Sequence, residues 1–569
     1  MMRRIGCLAV HVVTAAVLSA QASHPLTYDI VVRAGTIYDG TGHAPFVGDI
    51  GINGDRVAML DTLGRHRLRG RRVIDTRGLA VAPGFVNMMS SPEPLLVDGG
   101  GQSDLRQGVT LEVFGEGESM GPLSDSMKVL ARTGQGDLKY PITWTTLGEG
   151  LDGLVQHGVS QNVASFIGAT TARIHEIGYT DRAPTPAELL RMQALVKQAM
   201  DEGALGVASA LIYAPGFYAK TPELVALVQA AAPAGGIYIS HMRSEGSRLL
   251  EATDELLSIA HDAGVRAEIY HLKAAGQSNW PKLDTVIAKV DSARRAGAHI
   301  TADMYTYTAG ATGLDAAMPP WVQEGGYAAW AKRLQDPAIR ARVKQEMDTP
   351  TNEWENLFLA PGSPDRILLI GFKADSLKQY TGKTLAEVAR LRGTSPEETA
   401  MDLVIRDGSR VGTVYFLMSE ENVRKEVALP WVSFASDEGA YTAGGVFLKF
   451  SAHPRAYGSF ARLLGTYVRG EHVIPLEEAV RRLSALPAEN LRLRQRGLLR
   501  SGYYADIVVF DPATIRANST YDHPHQYATG VRHVLVNGVA VLTNGEPTGA
   551  KPGRVVRGPG WIGWRRPAK

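Results

Sequence analysis

Ile237-Tyr-Ile-Ser-His241-Met-Arg-Ser-Glu245 and, after a helix-like interval, Ala267-Glu-Ile-Tyr-His271-Leu-Lys273 are the stretches that decide the fold. Each begins as a short apolar run of strand length and reaches a histidine. Outward from them the rhythm repeats. Thr110 to Val113, Leu205 to Ala208 and Ala298 to Met304 read as further strands, and the stretch around Pro186 to Glu202 reads as a helix. Such alternation predicts β-α repeats around a parallel sheet. Residues 311–365 break it. They are helical and charged, Asp336 to Met347 above all, and read as an inserted lid. The alternation resumes at Arg366 to Ile370 and at Trp431 to Phe434. Both chain ends carry short strands parted by Gly and Asn turns, such as Tyr28 to Arg33, Gly48 to Ile52, Ala505 to Phe510 and Val534 to Gly538. The economical fold class is α/β: a (β/α)8 TIM-like barrel beside a small β-sandwich built from both ends. The expected boundaries are a signal peptide at 1–22, sandwich at 26–84, barrel at 85–490 with its insert, and sandwich again at 491–560. In such barrels the chemistry sits at the C-terminal ends of the strands.

Composition narrows the function. The 569 residues carry a formal net charge of +2, with 44% apolar and 21% charged residues. Nucleic acid is therefore not expected as a partner, since phosphate binding needs clustered positive charge. The single cysteine, Cys7, excludes an intramolecular disulfide and any cysteine-rich zinc cluster. Arg3 and Arg4, the apolar run Ile5 to Leu18 and the small-residue close Ala20-Gln21-Ala22 read as a secretory signal. The run is short for a membrane span of roughly 20 residues. No later stretch is apolar enough to cross a membrane, so an exported protein, periplasmic or secreted, is expected.

His241 and His271 sit where successive barrel strands would open into loops, and two histidines so placed can converge on one divalent metal. Asp437, in Phe434-Ala-Ser-Asp437, lies just past another strand. A carboxylate there can take a proton from an activated water and pass it to a leaving nitrogen. The alternative is a turn or N-cap aspartate.

At this point the chain resembles the amidohydrolase superfamily, and within it the N-acyl-D-amino-acid deacylase (D-aminoacylase) family. The resemblance is carried by Ala82-Pro-Gly-Phe85, the two histidine stretches, Asp303-Met-Tyr-Thr-Tyr-Thr-Ala-Gly310, His453-Pro-Arg-Ala-Tyr-Gly-Ser-Phe460, Leu486-Pro-Ala488, Ala505-Asp-Ile-Val-Val-Phe-Asp511 and Pro524-His-Gln-Tyr527. It implies a zinc-dependent hydrolase of carbon–nitrogen amide bonds, acting on a small molecule with a carboxylate, and Asp437 as its proton carrier. It implies Arg455, Lys273 and Tyr305 as substrate-binding residues, Arg455 as the fork for the substrate carboxylate. Two departures stand out. The superfamily's His-x-His after the first strand is replaced by Asn87-Met-Met-Ser90. The family's ligand cysteine is replaced within Gly115-Glu116-Gly117-Glu118. One zinc per chain is therefore expected, on Glu116, His241 and His271, with Glu118 as the alternative to Glu116.

Two other readings stay open. One is a cyclic amidase of the hydantoinase or dihydroorotase type, which would want two metals. The other is a catalytically silent exported relative. A third pattern, Gly117-Glu-Ser-Met-Gly121, fits a serine-hydrolase elbow at Ser119, but Pro122 follows where a helix should open.

Overall fold

The structure, a computed structural model, describes residues 27–62 and 68–564. The expected signal peptide, Cys7 and residues 565–569 lie outside the described residues. Among the described residues no helix is long and apolar enough to cross a membrane.

The strands predicted around the two histidines form as expected. Ile167–Gly168, Gly206–Ala210, Ile237–His241, Ala267–Ile269, Ile300–Met304 and Val432–Phe434 lie side by side in that order, all parallel. Phe85–Asn87, Val109–Phe114 and Asn162–Ser165 make a second parallel sheet of three. Only Phe166 separates Ser165 from Ile167, and Leu205 N donates to Ser165 O at 3.0 Å. At the other margin Met88 N reaches Phe434 O at 3.5 Å and Ala435 N donates to Met304 O at 2.9 Å.

Period two sets the layers. Ile237 and Ile239 join Val113, Phe166, Tyr270 and Ala435 in one apolar cluster on one face of the sheets. Tyr238 faces the other way, into the larger cluster shared with the flanking helices. Those helices carry legible starts. Thr185 caps Pro186–Asp201: its hydroxyl accepts from Glu188 N, and the Glu188 side chain accepts from Thr185 N at 2.7 Å. Pro186 sits at the first helical position, where its missing N–H costs nothing.

The short strands of both chain ends meet in one nine-stranded sheet. Thr27–Ile37 pairs with Phe46–Asn53 and Arg69–Asp75, and Ala80–Pro83 links it to Ile507–Phe510 from the far end. One strand departs from expectation. Ile367–Gly371, read as a return to the β-α alternation, instead pairs antiparallel with Gly412–Tyr415, which also pairs with Gly310–Gly313. This small sheet and the helices Tyr327–Arg333, Pro337–Met347, Leu385–Arg392 and Pro396–Asp407 share an apolar cluster of their own.

Candidate active site

The C-terminal ends of the parallel strands hold the titratable residues. Val109–Phe114 delivers Glu116, Ile237–His241 ends on its histidine, Ala267–Ile269 leads to His271, and Val432–Phe434 leads to Asp437. Glu116 reaches its place through a turn only glycine allows on either side. Gly115 has φ +110°, and a Cβ there would stand 2.6 Å from Phe166 O. Gly117 has φ +64°, and a Cβ there would stand 2.7 Å from Ala210 Cβ.

Glu116 Oε1 lies 3.0 Å from His241 Nδ1 and 3.2 Å from His271 Nε2, and these two ring nitrogens are 3.0 Å apart. The three side chains each offer one ligand atom within 4.8 Å of the others. An ion with bonds of about 2.0–2.1 Å in tetrahedral array separates its ligands by roughly 3.4 Å, so the triangle fits zinc. The donor set of two imidazoles and one carboxylate fits it too. Glu116, not Glu118, is the carboxylate of the cluster; Glu118 is exposed.

A further layer braces these ligands. Asp303 Oδ1 accepts from His271 N at 2.8 Å, which holds His271 at φ +33°, a left-handed backbone that costs an L-residue energy. Glu245 Oε1 lies 3.0 Å from His271 Nδ1 and accepts from Lys273 Nζ at 2.6 Å. Lys273 Nζ is itself 2.7 Å from His271 Nδ1. Glu355, from the inserted unit, accepts from Ser244 Oγ at 2.8 Å and Glu245 N at 3.1 Å.

Electrostatics follow this packing. Burial works against the charge of Glu116, but hydrogen bonds to His241 and His271 outweigh it and hold its carboxyl well below the usual range. Burial and Lys273 oppose a proton on His271, yet Glu245, Asp437 and Glu116 push it up to about 10. Burial raises Asp437, partly offset by Arg455 and His271.

Asp437 sits at φ +53° with its N–H on Met89 O at 3.0 Å. Its Oδ2 accepts from Arg455 Nη1 at 2.5 Å, and Arg455 Nη2 donates to Ala311 O at 3.2 Å. Arg455, expected as a free fork, is thus fully buried against Asp437. Its guanidinium stacks 4.5 Å over the Tyr305 ring, and Lys273 Nζ lies 5.5 Å from that ring. His453 starts the arginine's helix: its Nδ1 accepts from Arg455 N at 3.0 Å, and its Nε2 donates to Ala309 O at 3.0 Å. Glu116, His241, His271, Lys273, Tyr305 and Asp437 all line one cavity of about 1000 Å³.

Asn87, where His-x-His would begin, is buried in a polar cluster of its own. Its Nδ2 donates to Asp104 at 2.9 Å, Glu112 at 3.1 Å and Ser436 Oγ at 2.7 Å, and its Oδ1 accepts from Ser436 N at 2.9 Å. Ser119 has no nucleophile's setting: its hydroxyl donates to Gly121 O at 2.7 Å and accepts from Gly168 N at 3.0 Å.

Sequence reasoning missed Glu245, Glu355, Asp303 and the Asn87 cluster. Glu245 was legible as part of the motif after His241, but its reach back to His271 depends on the loop path.

The model of the Amidohydrolase family matches residues 167–542. A D-aminoacylase of Alcaligenes xylosoxydans xylosoxydans is 30% identical over 95% of this chain and 99% of its own length. An N-acyl-D-glutamate deacylase of the same organism is 30% identical over 93% and 96%. The crystal structure of N-acyl-D-glutamate deacylase from Bordetella bronchiseptica, complexed with zinc and a phosphonate mimic of the tetrahedral intermediate, is 28% identical. It covers 94% of this chain and 100% of that one, with a TM-score of 0.77. With its two histidines at adjoining strand ends and the Glu116 carboxylate brought beside them, the chain belongs to the amidohydrolase family, alongside the D-aminoacylases and N-acyl-D-amino-acid deacylases.

Proposed function

We propose that the protein is a zinc-dependent amide hydrolase that deacylates N-acyl amino acids, D-enantiomers first. The observation that carries this is the Glu116–His241–His271 triangle in one cavity with Asp437, Lys273 and Tyr305. Glu116, His241 and His271 would hold one zinc per chain. When bound, it supplies Lewis-acid activation of the attacking water and of the amide carbonyl. Asp437 takes the proton from that water on its carboxylate and returns it to the departing nitrogen. Arg455 keeps Asp437 in place through the Nη1 contact and stacks on Tyr305, and Lys273 and Tyr305 line the part of the cavity where the substrate carboxylate is received. We read the two parallel sheets as the eight strand positions of one (β/α)8 barrel, the nine-stranded sheet as the sandwich beside it, and the insert, expected at 311–365, as running on from about 310 to 418 because its antiparallel sheet takes in Gly412–Tyr415. Residues 1–22 are read as an export signal.

The test combines metal content with kinetics. Asp437→Asn removes the base while keeping its size. Its kcat on N-acetyl-D-amino acids is expected to fall about 10² to 10⁴-fold with zinc unchanged near one per chain. Near-normal turnover by that variant would refute the mechanism, and two zinc ions per chain would favour the cyclic-amidase reading.

A further inference from the structure

Arg410 brings a guanidinium into the cavity, which Lys273 and Lys373 also line. It stands just before Gly412–Tyr415 in the small antiparallel sheet of the insert, outside the parallel strands. Its side chain is 51% exposed, yet it lines the same cavity as the zinc-type cluster. One edge of the guanidinium is fixed: Nε lies 3.0 and 2.9 Å from the two oxygens of Asp315, and Nη2 donates to Thr312 Oγ1 at 3.3 Å. Its face packs 4.7 Å over the Tyr213 ring, and Tyr213 stands 5.2 Å from the ring of His241. Two ring contacts therefore connect this cation to the metal ligands. Among the described residues Nη1 has no hydrogen-bond acceptor.

Resting on the deacylase reading, we propose that Arg410 is a specificity-determining residue that receives a second carboxylate of the substrate, so that N-acyl derivatives of acidic amino acids are preferred. Asp315 and Tyr213 leave the guanidinium preoriented, so little side-chain entropy is lost when a ligand arrives. The planar fork suits a carboxylate better than an ammonium would. Overall likeness does not make this choice, because the D-aminoacylase and the N-acyl-D-glutamate deacylase are each 30% identical to this chain. Glu93 and Glu118 line the same cavity and set the opposing possibility, a basic side chain.

The test compares N-acetyl-D-glutamate with its neutral isostere N-acetyl-D-glutamine and with Nα-acetyl-D-lysine, in the zinc-loaded wild type, Arg410→Met and Arg410→Lys. Both kcat/KM and calorimetric affinity are measured. Affinity is read on the Asp437→Asn background so that it does not depend on turnover. A charge-assisted hydrogen bond predicts a glutamate-to-glutamine ratio of about ten to a hundred in the wild type. That ratio should collapse toward one in Arg410→Met and recover only partly in Arg410→Lys. Equal turnover of glutamate and glutamine derivatives, preference for the lysine derivative, or an unchanged ratio in Arg410→Met would overturn the inference while leaving the deacylase reading intact. Tight, Arg410-dependent binding of the dicarboxylate without hydrolysis of any N-acyl amino acid would sink the deacylase reading alone. No binding of any of the three would sink both.

Discussion

Asn87 has its whole amide committed to neighbours, and that is how the loss of His-x-His is absorbed. Its Nδ2 binds Asp104, Glu112 and Ser436, while its Oδ1 holds Ser436 N directly before Asp437. The first-strand position thus became a clamp on the turn that carries the proton carrier. Asn87→Ala is expected to leave zinc near one per chain and to lower kcat, whereas His241→Ala and His271→Ala lose tight zinc. Elemental analysis decides, and loss of zinc in Asn87→Ala would move the metal site to the first strand. The same cluster sets a pH dependence. Burial pushes Asp104 up to about 7 and Glu112 well above the carboxylate range. The folded state therefore keeps protons that the unfolded chain releases above about pH 4. Stability falls as pH rises toward about 7 and levels off once the pair is ionised. Asp104→Asn removes one titration while keeping an oxygen for Asn87. The fall in Tm between pH 5 and pH 7 should be smaller in this variant than in wild type. An identical fall would remove Asp104 from the account.

Among the elements, the helix read around Pro186 to Glu202 forms as expected, because caps and period are local. Pro186–Asp201 begins where Thr185, Pro186 and Glu188 say it should. Ile367–Gly371 departs from the expected parallel alternation for the opposite reason: a five-residue apolar run carries no mark of whether its neighbour is parallel or antiparallel. That strand ties the insert together, and the insert reaches the metal ligands through Glu355. Burial, with Glu245 adding to it, raises Glu355 to about 7, and its carboxyl grips the loop after His241 at Ser244 and Glu245. Glu355→Ala should cost about 1–3 kcal/mol of stability through two lost acceptor bonds. It should also weaken zinc binding by about tenfold as Glu245 loosens beneath His271. Competition with a chelator measures the second effect. An unchanged zinc affinity would show that the insert and the metal site are independent.

For the molecule as a whole, the nine-stranded sheet joins the two chain ends, and its first strand starts at Thr27. If residues 1–22 are an export signal, a chain lacking them should fold with an unchanged Tm, and full-length protein made with its export route intact should be recovered without those residues. Mass spectrometry of the mature N-terminus checks this, and an intact Met1 on exported protein would refute the signal. The sequence by itself determined the α/β class, the strand ends that carry His241, His271 and Asp437, and the replacement of the family's cysteine and His-x-His, because each of these is written in periodicity or in a residue's identity. Only the tertiary structure decided that Glu116 rather than Glu118 joins the histidines, that Arg455 lies against Asp437, that Glu245 and Glu355 brace the ligands, and that Arg410 enters the cavity from the insert. These depend on where loops distant in sequence cross, and on which of two neighbouring carboxylates a glycine turn aims inward. Neither leaves a local signal in the chain.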